Sequence, residues 1–320
     1  MDSLLASRLL RKLPPLSATC NQQLINYLSL LHARNYSHAT LDALTVAIKR
    51  FLLNLPEPRR VAVKGNFAHA IASDIDSFIE LAKSKGLSPS TINITLSSLK
   101  EFFDFLRETG QMQLQPIIRR RHRLFAPSTL PKPMPEADLI QLFKVIDSVR
   151  DRLIFLLMLR CGLRVSEVCH LTWSDVDFHA GTVRINNSKG QVDRIVYIAP
   201  DLERSLRLWL ARTSSSDYLF PSRKVKSAPL TRGDLGWLMN KYLRLADIKL
   251  HYSPHCLRHS FATQLLNAGV SLEVLKELMG HRSVQMTLRY TKLYESTKRQ
   301  QYQQAMTRIE KRLSTLGGEQ

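Results

Sequence analysis

The stretch His255-Cys256-Leu257-Arg258-His259-Ser260-Phe261-Ala262-Thr263-Gln264-Leu265-Leu266-Asn267-Ala268-Gly269 follows Pro254 and fits a helix over 254–268. His255 and Arg258 are three residues apart and share a face, with His259 close to it. A His-x-x-x-His pair suggests zinc, but no glutamate stands between the two histidines, and Arg258 puts a cation where the metal would sit. A helix start that offers a histidine and an arginine suits an anion instead.

Outward from this helix, Gly280-His281 is followed nine residues later by Tyr290 on a short helical pattern over 283–291. Alone, Tyr290 would ordinarily read as a half-buried packing residue. Its free pKa of about 10 falls when cations surround it, because they favour the phenolate, and attack on phosphorus then becomes feasible. Upstream, Gly162-Leu163-Arg164-Val165-Ser166-Glu167 follows an apolar helix ending at Leu159. Arg164 offers a fork of donors that fits phosphate oxygens, with Glu167 one turn on to orient it; a surface ion pair explains the same residue. Lys189 sits in the turn Asn187-Ser188-Lys189-Gly190 between β-patterned runs at 182–186 and 192–198. It is either a solvated turn residue or a proton donor to a leaving oxygen.

The remaining pattern is helical. Residues 134–320 form a second domain with helices over 136–148, 150–160, 201–212, 231–245, 254–268, 271–279 and 283–291, then a polar helix near 295–313. Tyr294, Tyr302, Met306, Ile309 and Leu313 mark a loose face of that last helix, for packing either on its own domain or on a neighbouring protomer. Residues 16–110 show four helical apolar periods, with Ser37, Ser73 and Ser90 as expected N-caps and Gly86 and Gly110 as stops. Residues 1–15 read as a flexible arm. Residues 111–133 carry four prolines around Arg119-Arg120-Arg121-His122-Arg123 and read as an extended basic linker, either solvated or following a phosphate backbone. The fold class expected is mainly α with a small antiparallel β-sheet in the second domain, two domains forming a clamp around duplex DNA.

Composition supports a polyanionic partner. Lys and Arg number 46 against 27 Asp and Glu, a formal charge of +19. The apolar run from Leu153 to Leu159 is far shorter than the roughly 20 residues of a membrane span, and no secretory signal opens the chain, so the expectation is a cytoplasmic, DNA-associated protein. Cys20, Cys161, Cys169 and Cys256 are widely spaced and form no CxxC, which favours buried thiols over disulfides or a metal.

The block from His255 to Gly269, the run Leu275-Lys276-Glu277-Leu278-Met279-Gly280-His281 leading to Tyr290, and Cys161-Gly162-Leu163-Arg164-Val165-Ser166-Glu167 together resemble the signature of the tyrosine recombinase, or phage integrase, family. The resemblance covers the second domain and, more weakly, the helical first domain, which is similar to the family's SAM-like core-binding domain. It implies that Arg164 and Arg258 clamp the scissile phosphate, Lys189 is the catalytic lysine, His255 and His281 are the two histidines, Tyr290 is the nucleophile and Glu167 supports Arg164. It further implies a 3′-phosphotyrosyl intermediate, no cofactor and no metal. The implied partners are double-stranded recombination sites, a homotetramer on synapsed DNA, and an accessory recombinase or DNA-bending protein. The expected role is integration, excision or transposition of a mobile element. Xer-like dimer or cointegrate resolution is the alternative, ahead of a type IB topoisomerase or a noncatalytic DNA-binding protein.

Overall fold

A computed structural model describes residues 3–127, 131–186, 193–213, 216–222, 225, 227–281, 283, 287–288, 302–303, 306–307 and 309–310. The chain divides into two compact units, Met1–Ser128 and Thr129–Gln320.

The first unit contains α1 (Ser3–Leu10), α2 (Ala18–Ala33), α3 (His38–Leu53), α4 (Arg59–Gly65), α5 (Ala72–Ser84), α6 (Pro89–Glu108) and the single turn α7 (Arg119–His122). The apolar periods of α2, α3, α5 and α6 face one core in which Leu24, Leu28, Phe51, Phe78, Phe102 and Phe103 are fully buried. Phe51 meets Phe78 and Phe103 edge-on, with ring centroids 5.7 and 6.2 Å apart. Ser37 caps α3 as expected. The other two expected caps are displaced: Ser88, with Pro89 behind it, caps α6 in place of Ser90, and α5 starts where Asp74 reaches back to the Ile71 N–H at 2.9 Å, so Ser73 has no capping role.

Two expectations for this unit need correction. The arm expected over 1–15 is not flexible from residue 3 onward, because α1 buries Leu5 and Leu9 in the core and Leu13 packs against it. Residues 111–133 are not an extended linker over their first half. Met112 and Ile117 enter the core, Asn93 brackets Leu124 through its N–H and carbonyl at 2.9 and 2.8 Å, and His122 is fully buried. Prolines and arginines hid these sparse apolar anchors, which are too few to set up a period.

The second unit contains α8 (Glu136–Lys144), α9 (Val149–Arg160), α10 (Val165–His170), β1 (Val176–Asp177), β2 (Thr182–Ile185), β3 (Arg194–Tyr197), α11 (Pro200–Leu210), α12 (Arg232–Leu245), α13 (His255–Asn267) and α14 (Leu272–Met279). The strands form an antiparallel sheet in the order β1-β2-β3, with Val183 opposite Val196 and Ile185 opposite Arg194. Two residues of β1 carry no alternation, which is why only two strands were expected. α9 buries every residue from Leu153 to Leu159, as a helix apolar on all sides must, and it packs against α11 and α13. Its one buried acid, Asp151, accepts the Tyr242 hydroxyl at 2.9 Å. The helix expected to run to 148 stops at Lys144, because Ser148 serves as the N-cap of α9.

The expected helices over 283–291 and 295–313 fall mostly outside the described residues; of the apolar face assigned to the last one, Tyr302 and Ile309 are exposed. Among the described residues no helix is long and apolar enough to cross a membrane, and all four cysteines are free and buried.

The docking of α1 is testable. Leu9→Ala should lower the unfolding free energy by about 2–4 kcal/mol in urea titration; an unchanged midpoint would mean that the helix is not part of the core.

Candidate active site

α14 ends at Gly280, which takes the left-handed conformation (φ 60°) as the helix C-cap. The last carbonyls of a helix have no intrahelical partner and form its negative end. Here each of three successive carbonyls receives a different guanidinium: Leu278 from Arg194 Nε at 2.8 Å, Met279 from Arg258 Nη2 at 2.6 Å, and Gly280 from Arg164 Nη2 at 2.9 Å. The helix end thus gathers side chains from β3, α13 and the start of α10.

Arg164 is the N-cap residue of α10. Its backbone N–H donates to Glu167 Oε2 and its Nη1 to Glu167 Oε1, both at 2.7 Å. Glu167 is also held by Arg194, whose Nη1 and Nη2 donate to Oε1 and Oε2 at 2.9 and 2.8 Å. Burial alone would raise the Glu167 pKa. The hydrogen bonds and charge of Arg194, then those of Arg164, outweigh it and hold the carboxyl down at about 2.

Arg258, one turn into α13, is buried and also donates through Nη1 to the Gly162 carbonyl. That carbonyl is presented by a tight break after α9. Gly162 has φ 61°, and a Cβ there would run into the ring of Phe261, so the position requires glycine.

His255 stands exposed at the first position of α13. Desolvation, then the cations Arg258, Arg232 and Arg164, lower its pKa against a smaller opposing pull from Glu167. His255 shares a cleft of about 370 Å³ with Arg164, Val165, Ser166, Arg232, Gly236 and Pro254. His281, directly after the cap, has Nδ1 2.9 Å from the hydroxyl of buried Thr287. Desolvation, followed by Arg258, Arg164, Arg194 and His259, pulls its pKa down to about 4. It is therefore neutral near pH 7 and serves as a hydrogen-bonding group.

The structure thus brings together Arg164, Glu167, Arg258 and His281 around the end of α14, and His255 shares a cleft with Arg164. Lys189 and Tyr290 lie outside the described residues. The basic run belongs to the first unit, where Arg119, Arg120 and Arg123 are exposed around one open concavity. Arg121 differs from its neighbours, since its fork is engaged by Asp76 at 3.0 and 2.5 Å. Sequence reading missed three residues: Arg194, Arg232 and Thr287. A signal existed for Arg194. β3 alternates with Val196 buried and Ile195 and Tyr197 exposed, so the strand period puts Arg194 on the inward side.

Residues 132–297 match the phage integrase family, and residues 22–110 match the phage integrase N-terminal SAM-like domain. Tyrosine recombinase XerA of Pyrococcus furiosus is 37% identical over 228 residues, covering 69% of this chain and 76% of the relative. Tyrosine recombinase XerC of Bacillus subtilis is 30% identical over 292 residues, covering 87% and 93%. Among solved structures, the Tn1549 transposon integrase in complex with a circular intermediate DNA superposes with a TM-score of 0.66 at 22% identity, covering 84% of this chain and 94% of that one. At that identity the likeness speaks for the fold alone.

The pKa shifts give a signed expectation. Both groups have folded pKa values below their ordinary ones, 6.5 for His281 and 4.5 for Glu167. Across each interval the unfolded chain binds a proton that the folded chain does not, so stability falls as pH falls. His281 contributes to the loss between about pH 6.5 and 4, and Glu167 contributes on the order of 3 kcal/mol between about pH 4.5 and 2. Melting curves across this range should show Glu167→Gln flattening the lower stage while the upper stage persists. An unaltered lower stage would show that Glu167 is not held as an anion.

Proposed function

Since the chain belongs to the phage integrase family of tyrosine recombinases, we propose that it is a site-specific DNA recombinase working through a 3′-phosphotyrosyl intermediate. The observation that carries this reading is the convergence of Arg164 and Arg258 on the end of α14. Carbonyl acceptors position these guanidiniums without cancelling their charge, which suits them to a phosphodiester.

In the proposed reaction Tyr290 attacks phosphorus. The Oη–P bond forms as the P–O5′ bond breaks, and Lys189 protonates the departing 5′-oxygen. His255 accepts the tyrosine proton. Arg164, Arg258 and neutral His281 stabilise charge growing on the nonbridging oxygens. The phosphotyrosine conserves the bond energy, so a different 5′-hydroxyl can reverse the step without a nucleotide cofactor, and strands are exchanged.

The preferred substrate is a pair of duplex recombination sites. The charge of +19 and the exposed Arg119, Arg120 and Arg123 support duplex binding, with each unit contributing to the same duplex as a clamp. Two duplexes and four cleavages call for a tetramer. The proposed role is integration, excision or transposition of a mobile element. The Xer-named relatives, similar over most of the chain, favour dimer or cointegrate resolution as a second reading, served by a partner recombinase or DNA-bending protein. The proposed setting is a DNA-associated protein of the cytoplasm.

Incubation with supercoiled DNA carrying the gene's own flanks should give a covalent adduct that mass spectrometry maps to Tyr290 and that Tyr290→Phe abolishes. Arg258→Ala should form it about a hundredfold more slowly while still binding DNA. An adduct on another residue, or near wild-type adduct formation by Arg258→Ala, would contradict these assignments. A second assay with two target sites separates exchange from relaxation of one duplex.

A further inference from the structure

Arg194 touches the site's carboxylate and backbone, yet its side chain is only 5% exposed, against 22% for Arg164. It is enclosed by Glu167, the Leu278 carbonyl and the backbone of Gly280, where a Cβ would stand 3.0 Å from its Cδ and Nη1. A side chain so enclosed acts through its neighbours.

The hydrogen-bond pattern shows how. Arginine and carboxylate pair most strongly fork to fork, and Arg194 has that geometry with Glu167. Arg164 does not: one side-chain N–H reaches Glu167, its backbone N–H takes the other oxygen, and its second terminal nitrogen turns to the Gly280 carbonyl. One carboxylate between two guanidiniums leaves one positive charge unbalanced. Without Arg194, Glu167 would neutralise Arg164 and leave the pair with no net positive charge next to the phosphate position.

We propose that Arg194 is a positioning residue for strand cleavage: it takes up the charge and both oxygens of Glu167, leaving Arg164 cationic and aimed at the phosphate. This rests on the reading of Arg164 as a phosphate ligand given above. Arg194 also fixes the Leu278 carbonyl, and with it the helix end from which His281 projects.

The test uses the full chain and a nicked suicide duplex spanning the cleavage position mapped with the wild-type protein, in single turnover. Adduct formation, duplex affinity and the melting transition are measured for each variant. Arg194→Gln should cleave about 10- to 100-fold more slowly, the usual range when a group that orients a ligand is lost, with duplex affinity retained. Adding Glu167→Gln removes the anion that Arg194 balances, so the double variant should regain most of the lost rate. A merely structural arginine predicts no such rescue. Arg194→Lys, which keeps the charge and gives up the fork, should fall between wild type and Arg194→Gln.

A folded Arg194→Gln that cleaves at the wild-type rate, or a folded double variant no faster than the single one, overturns the proposal. If Arg194→Gln alone does not fold, the double variant decides: cleavage within about tenfold of wild type supports charge balance, and cleavage as slow as Arg164→Ala overturns it. A wild-type chain that forms no adduct removes the recombinase reading along with this one, whereas an active wild type indifferent to Arg194 removes this inference alone.

Discussion

Glu167 meets Arg194 through both carboxylate oxygens at 2.9 and 2.8 Å and Arg164 at 2.7 Å, while the carbonyls of Leu278, Met279 and Gly280 each take a guanidinium. Without these contacts three cations would repel one another in a partly dry site. Removing an ion from water costs several kcal/mol even after relaxation, and pairing offsets that only where hydrogen bonds are also satisfied. The two kinds of acceptor divide the task. The carboxylate balances part of the charge, and the carbonyls satisfy donors while leaving charge in place. A helix C-terminus suits the second task because its orphan carbonyls already point outward together.

Desolvation, joined by these cations, sets the state of the histidines. His281 is surrounded by Arg258, Arg164, Arg194 and His259, which join desolvation in holding it neutral. In the proposed reaction a phosphodiester entering between the arginines brings negative charge that opposes this effect and moves the His281 pKa back toward its ordinary value. His255, exposed at the start of α13, is lowered by desolvation and then by Arg258, Arg232 and Arg164, against an opposing pull from Glu167. Its access to water suits a group that passes a proton on.

Much of this was legible in the sequence, because helix boundaries and motif spacing are local properties. α9, α12, α13 and α14 lie close to where their apolar periods place them, and the spacing of His255 and Arg258 already puts both on one helix face. Tertiary pairing was less legible. Nothing near Arg194 in sequence identifies Glu167 as its partner 27 positions away, although the inward phase of β3 marks the arginine as unusual. The folded run at 111–125 escaped notice for a related reason. His122 and Arg121 look like part of a solvated basic stretch until Asp76 on α5 is brought beside them.

The most direct measurement is a crystal structure of the Tyr290→Phe chain bound to its cleavage-site duplex. The account predicts nonbridging oxygens of the scissile phosphate about 3 Å from N–H groups of both Arg164 and Arg258, with Arg194 still fork to fork on Glu167 and donating to Leu278. A phosphate that binds elsewhere, or an Arg164 closed fork to fork on Glu167 while Arg194 swings to the DNA, would contradict it.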